Sequence, residues 1–166
     1  MNNRILNHHL TMKRLFHYTR MGNLKKILAD RKIIQADTFV EPPEMPVVWF
    51  SYRQDWEPTA TPGLIDETSG TRRRLTFEEF AYRETPARIE IDPQAAPLDW
   101  RAWRKTSGVT SRMVKALEDV ALREDASPAD WRMSFDPVPL DHWRAVEVFV
   151  NGQWCDFETL LSLPNN

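Results

Sequence analysis

Cysteine is nearly missing from this chain: among 166 residues only Cys155 is one. A lone thiol cannot close an internal disulfide, so a reducing compartment is expected. Long apolar runs are missing too. None approaches the roughly 20 residues that span a bilayer, and the polar stretch 1–11 lacks the apolar centre of a secretory leader. A cytoplasmic protein with no membrane partner is the expectation. Neither sign of charge dominates. A net charge of −2 argues against a chain built to coat nucleic acid or an anionic membrane, though a local basic patch stays open.

Several chemical signatures are also absent. There is no Walker loop, no G-x-G-x-x-G, no G-x-S-x-G and no H-E-x-x-H. A phosphate-cradling NTPase and a zinc protease are therefore disfavoured. His142 and Cys155 have no partner at metal-ligand spacing, and His8-His9 lies in the N-terminal stretch without one, so no metal site is expected.

What is present suits one ordinary globular domain. Hydrophobic residues make up 42%, enough for a real core, and charged residues 28%. Seven tryptophans and twelve prolines are many for this length. They point to rigid irregular segments pinned by aromatic side chains rather than to a regular helical bundle. Residues 1–12 are expected to form a loose lead-in and 13–166 a single domain, with no internal repeat or low-complexity tract.

Leu15-Phe16-His17-Tyr18-Thr19 is apolar and aromatic and predicts a strand. Leu24, Ile27 and Leu28 then recur at helical spacing, with Asn23 as the expected cap of a helix over 24–31. A short extended piece is expected over 33–36. Pro46-Val47-Val48-Trp49-Phe50-Ser51 reads as a buried strand, followed by a polar connection over 53–70. Thr76 and Glu79 stand in the capping-box spacing for a short helix. Residues 87–91 alternate as a half-buried strand, with Arg88, Glu90 and Asp92 facing water. Helices are expected over 98–105 and 110–123, the second with a Met113, Leu117, Val120, Ala121 stripe. Ser127-Pro128 opens a further turn. Two strand-like runs around Asn151-Gly152 predict a hairpin with a type I′ turn. Strands and helices do not alternate regularly, so a doubly wound parallel sheet is disfavoured. An α+β fold with a split, mostly antiparallel sheet and packed helices is the expectation.

Three groups of residues could carry chemistry. Alternation along the first strand puts His17 and Thr19 on one face and Tyr18 on the other. An imidazole beside a hydroxyl at a strand end can bind a polyhydroxyl ligand, or simply end the strand. Glu147 shares its strand face with Ala145 and Phe149, so it either lines a pocket or sits on a partly exposed sheet face. The aromatic run Trp49-Phe50-Ser51, with Trp56-Glu57-Pro58-Thr59 beyond it, could stack on a flat ring or merely anchor the loop. Arg72-Arg73-Arg74 is a basic triplet that could touch phosphate or form a solvated face.

The segment Leu15-Phe16-His17-Tyr18-Thr19-Arg20, followed by Asn23-Leu24-Lys25-Lys26-Ile27-Leu28, resembles the opening of ADP-ribosyltransferase-fold proteins, including DNA-modifying toxins of the DarT kind. Val48-Trp49-Phe50-Ser51 resembles their second motif strand. The pattern is also similar to small bacterial or phage proteins bearing His-Tyr-Thr, Trp-Phe-Ser and Trp-Glu-Pro-Thr-Ala segments. The likeness covers residues 14–60. It implies an NAD-dependent transferase that moves ADP-ribose to a protein or nucleic-acid acceptor. By that resemblance His17 would hold the adenosine ribose of NAD, the Tyr18 backbone the nicotinamide amide, and Thr19 would buttress the strand. Trp49, Phe50 or Tyr52 would cover the nicotinamide, and Ser51 would sit in the same cofactor-binding strand. Glu147 would be the catalytic glutamate, with Glu90 or Asp92 as substitutes. Ala145 stands two residues before Glu147 where an arginine-modifying enzyme carries Glu or Gln, so the acceptor is open. Two alternatives stand beside this: a non-catalytic member of the fold that binds a nucleotide or protein, and a nucleic-acid module using Arg72–Arg74 and exposed tryptophans.

Overall fold

The computed structural model describes residues 13–38 and 40–161; the expected lead-in over 1–12 lies outside them. The chain opens with strand β1 (Leu15–Arg20), which passes without a break into helix α1 (Met21–Asp30). Asn23 is therefore inside the helix and not its cap. The strand reaches the helix directly because the Met21 amide is already bonded to the Thr85 carbonyl, so no side-chain cap is needed at that position. The short strands β2 (Lys32–Ile33) and β3 (Val48–Ser51) follow.

The polar connection is more ordered than its composition suggests. It contains a 3₁₀ turn at Pro58–Ala60 and a small hairpin of β4 (Gly63–Ile65) and β5 (Arg72–Arg74). Helix α2 (Phe77–Arg83) begins with the expected reciprocal capping box between Thr76 and Glu79. Next come β6 (Pro86–Ile91), β7 (Leu98–Asp99), α3 (Trp100–Thr106) and α4 (Ser111–Arg123). Thr110 caps α4 through the Met113 amide. The chain continues through β8 (Trp131–Ser134), β9 (Val138–Pro139), β10 (Trp143–Val150), β11 (Gln153–Asp156) and α5 (Phe157–Leu161). Asn151 and Gly152 have φ of 52° and 81°, the pair of positive angles that a type I′ turn requires.

Seven strands form one sheet in the order β11-β10-β6-β1-β3-β8-β7. Every pairing within it is antiparallel. The α+β class and the mostly antiparallel sheet thus stand, but the sheet is continuous and not split into two. Its narrowest seam is between β1 and β3, which share a single pair of register partners, Phe16 and Ser51.

The two faces of the sheet are covered differently. On one face Leu15, Ile89, Ile91, Val48, Phe50 and Val148 pack with Leu24, Ile27 and Leu28 of α1. The opposite face carries two separate clusters. Phe16, Tyr18, Trp56, Leu75 and Phe80 gather under α2 and the β4–β5 hairpin. Trp131, Met133, Trp103, Val47 and Ala121 gather under α3 and α4. One backbone contact pins the loop before α4: a Cβ added at Gly108, which has φ +77°, would stand 2.4 Å from the Pro43 carbonyl oxygen. Beyond the Phe16–Ser51 pair β1 and β3 share no register partners, and this seam, reached by residues of both sheet faces, is the candidate site.

Candidate functional site

A cavity of about 370 Å³ opens at this seam. Phe16, His17 and Tyr18 of β1, Trp49, Phe50 and Ser51 of β3, and Trp131 of β8 line it. Leu117 and Val120 of α4 form one wall, and Glu57, Thr59, Ala60 and Arg74 form another. The walls are therefore largely aromatic and aliphatic, with a few polar groups at defined points, as in small-ligand sites generally.

His17 sits at the seam. Its ring Nδ1 lies 2.9 Å from the Trp49 carbonyl oxygen. A carbonyl only accepts, so Nδ1 carries the proton and Nε2 is left as an acceptor. Burial pushes the imidazole below its ordinary pKa of 6.5, opposed by the bond to Trp49, so the neutral ring is favoured. The Phe50 ring meets it edge-on at 5.8 Å. Tyr18 is buried against Trp56, and its hydroxyl donates to the Arg53 carbonyl. Burial raises the Tyr18 phenol well above its usual range, which rules out a phenolate role at neutral pH.

Glu57 is the carboxylate of this cavity. It is 5% exposed. Pro58 follows it and starts the 3₁₀ turn, so Glu57 is the cap of that turn and its side chain folds back toward the chain. Oε1 accepts from the Thr59 hydroxyl at 2.6 Å and the Thr59 amide at 3.2 Å. Oε2 accepts from the Ser51 hydroxyl at 2.7 Å. Ser51 Oγ in turn accepts from the Arg53 amide at 3.1 Å. All of these donors are neutral, and among the described residues no cation stands within ion-pair distance of Glu57. Arg74 lines the same cavity, but its Nη1 donates to the Thr59 and Thr61 carbonyls at 2.9 and 2.7 Å, and its Nε faces Glu124 at 3.6 Å. Trp131 is 5% exposed, and its indole N–H has no hydrogen-bond partner among the described residues.

Of the residues expected from sequence, His17, Tyr18, Trp49 and Ser51 meet at this cavity, whereas Thr19, Tyr52 and Glu147 do not line it. Thr19 shares the α1 side of the sheet with His17, but it lies two residues further along β1, whereas His17 stands at the seam beside Trp49. Tyr52 follows Ser51 on the opposite side of β3, where it packs with the α1-side core and under the Arg132 guanidinium. The expectation that Glu147 and His17 face one cleft also fails. His17 stands across from Ile89, and Ile89 across from Val146, so His17 shares a face with Val146 and Glu147 points the other way.

Glu147 is not an isolated carboxylate. Arg88, directly across from it on β6, donates from Nε to its Oε2 at 2.6 Å. Arg14 donates to its Oε1 at 3.1 Å and to Glu90 at 2.7 Å. The expectation that Arg88 and Glu90 face water is thus overturned. Strand β6 lies inside the sheet, between β1 and β10. Arg88 is 5% exposed, sandwiched between the Phe16 and Trp154 rings at 4.1 and 4.2 Å. Asp92 pairs with Arg144 at the surface, which likewise removes it as a substitute acid.

The basic triplet forms β5. Arg73 makes a two-pronged pair with Glu79 at 2.7 and 2.8 Å, and Arg74 turns into the cavity wall. Each of the seven tryptophans is buried or half-buried. The nucleic-acid alternative therefore lacks its exposed rings and two of its three free cations. No group of three or more His, Cys, Asp or Glu among the described residues could hold a metal ion, and no described helix is long and apolar enough to cross a membrane.

Sequence reasoning named the Trp56-Glu57-Pro58-Thr59 segment for its aromatic ring and passed over Glu57. The missed signal was Glu57-Pro58, which has the same cap-then-proline form as Ser127-Pro128. Comparison with protein-family models, with curated proteins and with solved structures finds no match to this chain.

Proposed function

We propose that the cavity at the β1–β3 seam binds NAD and that the protein is an ADP-ribosyltransferase-like enzyme. One observation carries this reading: His17, Tyr18, Trp49 and Ser51, four residues that the sequence resemblance assigns to NAD, line a single cavity. The chemistry of the walls suits the flat rings and ribose hydroxyls of NAD. Flat aromatic rings offer stacking surface. The His17 Nε2 accepts from a ribose hydroxyl, and the free acceptor capacity of the Glu57 carboxylate faces the same space.

In such a transfer the bond between the ribose anomeric carbon and the nicotinamide nitrogen breaks, and its electron pair leaves with nicotinamide. The anomeric carbon then bonds to an acceptor nucleophile, which loses a proton. Positive charge develops on the ribose between these events. A fixed carboxylate in a site shielded from water stabilises that charge more than it stabilises the ground state.

A second reading is a binding-only member of the same fold. It is favoured by the position of Glu147, whose two oxygens are held by arginines on the far face from His17.

The test is incubation with labelled NAD and a cell extract, alongside NAD-dependent thermal stabilisation. Labelling of a macromolecule and release of nicotinamide, both lost in His17→Ala, are expected. Stabilisation by NAD without nicotinamide release would establish the binding-only reading. Neither stabilisation nor release would overturn both.

A further inference from the structure

We infer that the Glu57 cavity selects a flat, positively charged ring, with Glu57 as the group that recognises the charge. The inference rests on the same cavity as the proposed function but does not require turnover or the rest of a dinucleotide.

Three observations on Glu57 carry it. The residue is almost fully buried, yet among the described residues its carboxylate is compensated only by the hydroxyls of Ser51 and Thr59 and the Thr59 amide. Neutral donors satisfy hydrogen bonding without cancelling charge, and a buried charge without a counter-charge is costly. The cation lining the same cavity, Arg74, is directed elsewhere by two backbone carbonyls and Glu124. The contrast within this chain is informative. Glu147 and Glu90, two little-exposed carboxylates on the sheet, are met by the guanidinium groups of Arg88 and Arg14, whereas Glu57 faces the 370 Å³ cavity with no cation at ion-pair distance among the described residues.

The walls narrow the class of cation. Trp49, Trp131 and Tyr18 line the space on the side of Glu57, and aromatic faces attract cations as well as flat rings. A ring that is both flat and cationic, such as an N-alkylated pyridinium, satisfies the aromatic walls and the carboxylate together. A hydrated metal ion would use neither the apolar walls nor the shape, and no described cluster of ligating residues supports one. Recognition of charge by Glu57 also explains why an apolar cavity holds an acid at all.

The experiment is a binding titration of the full chain with 1-methylnicotinamide, a flat cation, and with nicotinamide, its neutral counterpart. NAD is titrated in parallel. Glu57→Gln is the variant of choice. It keeps the shape and an acceptor for Thr59, and the Ser51 hydroxyl can turn to accept from the new amide. The cation is expected to bind at least about tenfold more tightly than nicotinamide to the wild type, with that preference lost in Glu57→Gln. Equal binding of the two ligands by the wild type overturns the inference, and this holds even if the variant fails to fold. So does a preference that survives in a folded Glu57→Gln. If the cation binds through Glu57 and NAD does not, the dinucleotide reading fails while the inference stands. If NAD binds and Glu57→Gln changes nothing, the reverse holds. Binding of none of the three overturns both.

Discussion

His17 and Glu147 stand on opposite faces of one sheet, in strands that flank β6 on either side. Ile89 fixes this relationship, because it pairs with His17 across one edge of β6 and with Val146 across the other. Strand side chains alternate strictly, so the residue next to Val146 must point away from His17. No rotamer change can bring the two groups into one site. A shift of β10 by one residue would do so, but it would turn the buried Val148 out of the α1-side core. The acid that shares a cavity with His17 is instead Glu57, far from β10 in sequence and on the turn that follows β3.

Glu147 therefore has a structural task. Its carboxylate holds Arg88 in place between two aromatic rings and joins Arg14 to the sheet. Glu147→Gln removes the charge and leaves a buried guanidinium with a weaker partner. Breaking a largely buried pair in this way is expected to cost about 1–3 kcal/mol. The loss will appear as a lower midpoint in urea unfolding. A catalytic Glu147 would show the opposite pattern, unchanged stability with lost turnover.

Legibility in the sequence followed the range of the interactions. Local chemistry was readable: the Thr76–Glu79 capping box, the Asn151-Gly152 hairpin and the α4 stripe are set within a few residues of chain. The position of a strand within the sheet was not. Strand β6 alternates like a half-exposed strand, and nothing in Arg88-Ile89-Glu90-Ile91 says that Arg14, Glu147 and Trp154 will meet its polar face from distant segments. The same gap hid the ion pairs of Glu147, whose arginines lie 59 and 133 residues away. At the site, the aromatic strands were legible because their composition is unusual. Glu57 was not legible, because its burial depends on the 3₁₀ turn folding back onto β3.

The His17 imidazole gives the protein a defined pH response. Its folded pKa lies below the ordinary 6.5, with burial the larger cause. Above pH 6.5 both the folded and unfolded chains carry it neutral, and its contribution is fully present. As the pH falls through 6.5 the unfolded chain takes up the proton first, so stability declines until the folded imidazole protonates too. His17→Gln should flatten that part of the profile. The measurement is thermal unfolding of both proteins from pH 7.5 downward. A parallel fall in the two proteins would show that His17 is not the group responsible.

Arg74 ties the cavity wall together, and its removal separates architecture from ligand recognition. Its Nη1 bridges the carbonyls of Thr59 and Thr61, in the turn and exit that follow Glu57, while Nε reaches Glu124 just beyond α4. Trp56 Nε1 supports the same stretch by donating to the Thr61 hydroxyl at 2.8 Å. Arg74→Ala leaves both carbonyls without their cationic donor. The 3₁₀ turn should then open locally while the sheet holds, because it is closed by just two backbone bonds of its own, Ala60 to Glu57 and Thr61 to Pro58. The amides of Ala60 and Thr61, bonded to the carbonyls of Glu57 and Pro58, are the reporters. Their hydrogen exchange should speed up by about tenfold or more, with the β1 and β6 amides unchanged. Faster exchange across the whole sheet would mean that Arg74 supports global stability and not the cavity wall alone.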